Sequence, residues 1–248
     1  MKKGFTLVEL SIVLVIIGLL VGGILVGQSL INSAKTQAQI RQIQQFDIAV
    51  TQFKAKFKFL PGDSPKFPSD GDGNGAGIGF GDGNNLLQAN RAGYSQQFCQ
   101  TAVYIGECDE FWKQLGDTGM IKNTYTNDYT TGILPDIGAP RAIYKHTTVL
   151  PYYNPVISAN KNYFILQGNT TNAGIANLTR GPALTSIEVV ALDTKLDDGL
   201  AASGTVLGIA APINDVSPVT QCLSAGVYDL NNKDQVCSPL FEMLAVGN

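Results

Sequence analysis

The residues able to do chemistry in this 248-residue chain are few and clustered. Four cysteines fall into two local pairs, Cys99 with Cys108 and Cys222 with Cys237. Neither pair has the tight C-x-x-C spacing of a metal knuckle, so two short-range disulfides are expected, with four reduced, buried thiols as the alternative. Aspartates gather in "PGDSPKFPSDGDGNGAGIGFGDGNN", residues 61 to 85, among eight glycines. Within it Asp70, Asp72 and Asn74, followed by Gly75, match the first half of an EF-hand loop, where alternating oxygens surround Ca²⁺. The second half fails, because Gly81 stands where the bidentate glutamate belongs, and Asp82 or Asp63 would have to complete the shell from the side. The competing reading is a solvated Gly-Asp turn. Calcium is the only cofactor the sequence admits.

Catalytic machinery is not expected. The single histidine, His146, lies in the strand-like "YKHTT", which rules out a His-rich metal site and would leave any Ser-His-Asp triad dependent on it alone. No G-x-x-x-x-G-K-[ST] phosphate loop occurs. Asp197 and Asp198 precede Gly199, where turn chemistry explains them. A formal net charge of −3 provides no basic field for phosphates, so general nucleic-acid binding is not expected either.

One more carboxylate is out of place. Glu9 sits in "KKGFTLVELSIVLVIIGLL", at the start of an apolar run in which no residue is polar from Ile12 to Gly27 and none is charged from Leu10 to Ala34. With Lys2 and Lys3 ahead of it, the run reads as a membrane span with a cytoplasmic N-terminus. A carboxylate in such a span costs about 2.5 to 3.5 kcal/mol and normally faces a partner. The chain offers only its N-terminal lysines, or a new amine on Phe5 if it is cut after Gly4. A headgroup-level position beside Lys3 is the simpler alternative.

The elements that hold these residues follow from periodicity. The apolar run continues into "SLINSAKTQAQIRQIQQFDIAVTQFKAKFKFL", where Ile43, Phe46, Val50, Phe53 and Phe57 recur at three- and four-residue steps. One helix is predicted over 5–59, its first part, 5–31, spanning the membrane and its second amphipathic, ending before Pro61. A helix of roughly 80 Å outruns a bilayer, so its outer half must pack against the following domain, residues 60–248. There "ECDEFWKQLGDTGMI" predicts a helix burying Phe111, Trp112 and Leu115. The runs "RAIYKHTTVL", "NYFILQGN", "TSIEVVALDTKL" and "GTVLGIA" read as strands, and "CLSAGVYDLNNKDQVCSPLFEML" as a loop around an Asn-Asn turn. The fold expected is α+β: a long N-terminal helix packed on a mainly antiparallel sheet with long loops.

"KKGFTLVEL" resembles the leader and mature start of type IV pilins and of the related pseudopilins of type II secretion. The basic leader, the Gly-Phe junction, the acid four residues on and the uninterrupted apolar run together carry the likeness. The resemblance implies removal of a leader, residues 1–4, by a prepilin peptidase cutting between Gly4 and Phe5, then N-methylation of the Phe5 amine. It also implies that Glu9 pairs with that amine on a neighbouring subunit. Loss of Lys2 and Lys3 would take the net charge from −3 to −3 − 2 = −5. Many relatives carry a proline where this chain has Val26. The implied role is a structural pilus subunit that polymerises with itself or with other pilins. Its implied partners are the inner-membrane assembly platform, and the inner membrane itself before assembly; its destination is an extracellular pilus. A periplasmic pseudopilus for protein secretion is the alternative within the family. Outside it, a monomeric periplasmic binding domain tethered by the helix is the rival. "LPGD", "FWKQLGDTGMI" and "LDTKLDDGLAASGTV" look like segments recurring in pilin-like proteins, and the Cys222–Cys237 segment like their disulfide-bounded surface loop.

Overall fold

The computed structural model describes residues 6–65, 67, 81–88, 107–126, 136–153, 157–158, 160–170, 179–209 and 222–244. Helix α1 runs Leu7–Phe57, 51 residues or roughly 75 Å. Thr6 and Glu9 close a capping box at its start, and Lys58, in the left-handed region at φ 71°, ends it ahead of Pro61.

Among the described residues, only the second half of α1 meets the domain. Thr36, Gln39, Ile43, Val50 and Phe53 are buried at steps that keep one face inward. Phe46 meets the Trp112 ring edge-on at 4.7 Å, and Phe53 lies 4.6 Å from Phe57. Trp112 comes from α2 (Glu107–Asp117), which also buries Phe111 and Leu115. Three polar contacts fix the helix against residues 141–144. The Gln39 side-chain oxygen accepts the Ile143 N–H at 2.8 Å, and the Gln42 amide donates to the Arg141 carbonyl at 2.8 Å. The Thr36 and Tyr144 hydroxyls approach at 3.5 Å.

The sheet is antiparallel. Strands β1 (Thr147–Tyr153), β2 (Asn162–Thr170), β7 (Ser238–Glu242) and β4 (Val206–Ile209) lie side by side in that order, and the short β3 (Thr179–Gly181) extends the β2 ladder beyond β7. Pro151 is tolerated because β1 is the edge strand. Helix α3 (Ser186–Leu196) packs on both α1 and β4, so the core lies between the helices and one face of the sheet. The hairpin β5 (Leu223–Ser224) and β6 (Val227–Tyr228) stands outside the main sheet. The α+β layout expected from the sequence is present.

Two local expectations are corrected, and a third, the Asn-Asn turn at Asn231 and Asn232, is present and joined by a second turn. "TSIEVVALDTKL" is α3 rather than a strand: Thr185 and Glu188 form a reciprocal capping box, and Val189 and Leu192 bury one helical face. The β-branched residues favoured a strand, but the T-x-x-E start and the three-residue step decide for helix. His146 is not in a strand; it is exposed at φ 56° in the turn that feeds β1. The loop between Cys222 and Cys237 turns twice, first at Ala225 and Gly226, both with positive φ, and again where the Asn232 N–H reaches the Asp229 carbonyl. The first of these turns makes the β5–β6 hairpin.

Candidate functional site

The first half of α1 is a free apolar rod. Seventeen large aliphatic side chains between Leu7 and Ile31 are exposed, Leu7 by 84% and Leu19 by 73%. An apolar surface of this extent is not stable in water, and the helix is long and apolar enough to cross a membrane. At its tip the Glu9 carboxylate accepts the main-chain N–H of Thr6 at 2.8 Å and the Thr6 hydroxyl at 2.7 Å. The Thr6 hydroxyl in turn accepts the Glu9 N–H at 3.3 Å. In the single subunit the acid is therefore engaged with its own helix end. Both Thr6 bonds fall on Oε2, so the second oxygen is left for another donor. Gly4 and Phe5 lie outside the described residues.

The sequence placed a calcium shell on Asp70, Asp72, Asn74 and Asp82. The first three lie outside the described residues. Asp82 is exposed, and its carboxylate caps a turn by accepting the Asn84 N–H at 2.9 Å. It stands within a group that the sequence did not assemble. Carboxylate oxygens of Asp63, Asp82 and Glu107 lie within 4.8 Å of one another. Asp63 was weighed as a side ligand; Glu107 was missed because it stands 44 residues further on, at the start of α2.

Asp63 and Glu107 are both buried. Asp63 accepts the N–H groups of Gly83 and Asn85, each at 2.7 Å. Glu107 accepts those of Asp82 at 3.2 Å and Gln88 at 2.7 Å. Gly62, at φ 83°, passes so close to α2 that a Cβ would lie 1.9 Å from the Glu107 carbonyl oxygen. Burial pushes both acids up, against the main-chain N–H groups that favour their charged forms, with the Asp82 charge adding to it at both and the Asp63 charge at Glu107; Asp63 rises to about 6 and Glu107 to about 8. Oxygen donors suit calcium, but three carboxylates fall short of its usual six to eight ligands, and the two buried ones already serve main-chain N–H groups. The described residues thus form a loop clasp first, and fit a cation only in part.

Cys222 and Cys237 are bonded to each other, with Cα atoms 5.1 Å apart. Cys108 is also disulfide-bonded, and Cys99 lies outside the described residues. The bridge anchors the β5–β6 hairpin, which is held a second time where the Tyr228 hydroxyl donates to the buried Asp193 at 2.7 Å. Desolvation raises the pKa of Asp193, and that of Tyr228 rises as well. Asp197 and Asp198 are occupied with turn N–H groups, Asp197 with those of Thr205 and Val206 and Asp198 with that of Leu200, so their turn role is met. Near the β1 edge of the sheet, a cleft of about 440 Å³ opens beside α1 at Phe46.

Neither a curated protein nor a solved structure matches the chain. A family model does match, that of the prokaryotic N-terminal methylation motif, over residues 1–25. That span holds the basic leader, the Gly4–Phe5 junction, Glu9 and most of the free apolar rod. The chain therefore carries the N-terminal signal of type IV pilins and pseudopilins, on a long apolar helix that leads into an α+β domain.

Proposed function

We propose that the chain is a structural subunit of a type IV pilus, cut between Gly4 and Phe5, methylated on Phe5, and assembled through the apolar half of α1. The observation that carries this reading is the methylation motif at the head of a helix whose first thirty or so residues find no partner among the described residues of the subunit. Lipid covers that surface before assembly, and neighbouring helices cover it afterward. Glu9 then exchanges part of its bonding with Thr6 for the Phe5 amine of the next subunit. Polymerisation is the function, and no catalysis is assigned.

A pseudopilus of type II secretion uses the same N-terminal chemistry and is the second reading; the domain's size, residues 60–248, favours a pilus. A tethered monomer needs neither the Gly-Phe junction nor an acid at position 9. The test is co-expression with a prepilin peptidase and mass spectrometry of the mature N-terminus. A methylated Phe5 end supports the filament, whereas an uncut chain, or one cut elsewhere, overturns it.

A further inference from the structure

Helix α1 sets how far the domain stands from the bilayer. Its apolar stretch from Leu7 to Gly27 measures roughly 31 Å, which matches a hydrocarbon core of about 30 Å. Gln28, Ser29 and Asn32 then fall at the level of the headgroups, and Lys35 follows about 12 Å beyond Gly27. Thr36 is the first buried residue of α1, so the foot of the domain stands at this level. The chain descends to it as it approaches β1: the Arg141 carbonyl is held by Gln42, the Ile143 N–H by Gln39, and the Tyr144 hydroxyl reaches Thr36. It then turns back through Lys145 and His146, and the Ala142 N–H closes the turn on the Thr147 carbonyl. Ile143, Lys145 and His146 are exposed there. Lys35 precedes Gln39 by four residues and Gln42 by seven, so it lies on the same helix face, below the turn.

We propose that this foot rests on the bilayer before assembly, with Lys35 and Lys145 binding the phosphates of anionic phospholipid, an inference that depends on the membrane-anchoring reading. The positive charge is local. The whole chain carries a formal net charge of −3, yet Lys35 and Lys145 are both exposed and neither is ion-paired among the described residues, and Arg41 is exposed on the next turns of α1. Glu188, whose charge reaches Tyr144, offsets part of it while closing the α3 capping box on Thr185, and Asp136 is paired with Arg141. Ile143, 42% exposed, adds an aliphatic group that can enter the headgroup layer beside the cations. A lysine within a Debye length of an anionic surface, about 8 Å at physiological ionic strength, strengthens binding about fivefold. Lys54, Lys56 and Lys58, at the far end of α1, stand roughly 28 Å or more further out, where salt screens the attraction. Because the turn lies on one side of α1, docking leans the helix to that side, and anchors of this kind are what set the tilt of a spanning helix.

The test uses the full chain in nanodiscs of phosphatidylcholine alone, or of phosphatidylcholine with phosphatidylglycerol, each containing some lipid with a nitroxide on its headgroup. Broadening of main-chain amide resonances reads proximity to that nitroxide. The Lys145 and His146 amides should broaden strongly in the anionic discs and far less in the neutral ones, and the Lys58 amide in neither. Added sodium chloride should reverse the broadening. Lys35→Gln or Lys145→Gln should each lower the ratio of docked to undocked subunits about fivefold, and the two together about 25-fold. Both positions are exposed, and unchanged Trp112 fluorescence shows that the domain keeps its fold. Equal broadening in the two lipids, or none at Lys145 in either, overturns the docking. Release by inorganic phosphate at matched ionic strength overturns it as well, because the turn would then be a site for the free anion. A chain that salt strips from the discs altogether is not inserted, and that result overturns the membrane-anchoring reading instead.

Discussion

The Glu9 carboxylate closes on Thr6, accepting both its main-chain N–H and its hydroxyl, so the acid that the sequence leaves without a cation begins as a helix cap. A cap is worth about 1 kcal/mol, less than the cost of a carboxylate in an apolar span. Assembly therefore has something to gain by bringing an ammonium to the same place. Glu9→Val is expected to leave membrane insertion intact and to lower fibre yield at least tenfold. Thr6→Ala, which removes the cap and keeps the carboxylate, should lower it far less. Equal losses from both variants, measured as sheared fibre per membrane-inserted subunit, would reduce Glu9 to a capping residue.

Gln39 governs how the rod meets the domain. It is fully buried, and its oxygen takes the Ile143 N–H across 104 residues of chain. Gln39→Leu keeps the volume and leaves that N–H unsatisfied, for an expected loss of about 1 to 3 kcal/mol. Thermal unfolding of the detergent-solubilised chain gives the loss, and faster hydrogen exchange at the Ile143 amide locates it. Unchanged exchange at Ile143 would show that the bond is not a structural tie.

What could be read in the sequence divides along physical lines. Helix α1 was legible because Ile43, Val50 and Phe53 repeat a single face over many turns, and α2 because Phe111, Trp112 and Leu115 do so over two. Strand β7 was not legible: Pro239 argues against an interior strand, and it is accommodated because the β2 ladder covers only residues 240–242 of β7. Helix α3 was hidden behind β-branched residues, although Thr185 and Glu188 carried its start signal. The N-terminal signal is local and was fully readable. The Asp63–Glu107 pair arises from tertiary contact, and no periodicity announces such a meeting.

That pair sets a pH dependence. Burial holds both acids above their unfolded values, Asp63 at about 6 and Glu107 at about 8. The native state therefore binds more protons than the unfolded chain between about pH 4 and pH 8, and stability contributed by the pair is lost as pH rises through that window. The unfolding midpoint is expected to fall from pH 5 to pH 8, and Glu107→Gln should flatten the slope. At pH 8 calcium would compensate the exposed negative charge if Asp82 and its neighbours hold the ion. A midpoint unmoved by calcium or by chelator at that pH overturns the calcium site expected from the sequence.

The C-terminal hairpin depends on two ties of different kinds. The Cys222–Cys237 bond closes a separation of 15 residues, for which loop-closure entropy gives about 3 kcal/mol. The Tyr228 hydroxyl satisfies the buried Asp193, whose other oxygen takes the Gly199 N–H at 3.1 Å. Tyr228→Phe leaves that acid short of a donor, at a cost of about 1 to 3 kcal/mol. Replacing both cysteines by serine should cost more, and because both ties hold the same hairpin their effects should not add. Denaturant titrations of the single and combined variants, followed by Trp112 fluorescence, measure these losses; strictly additive losses would mean that the two ties act independently.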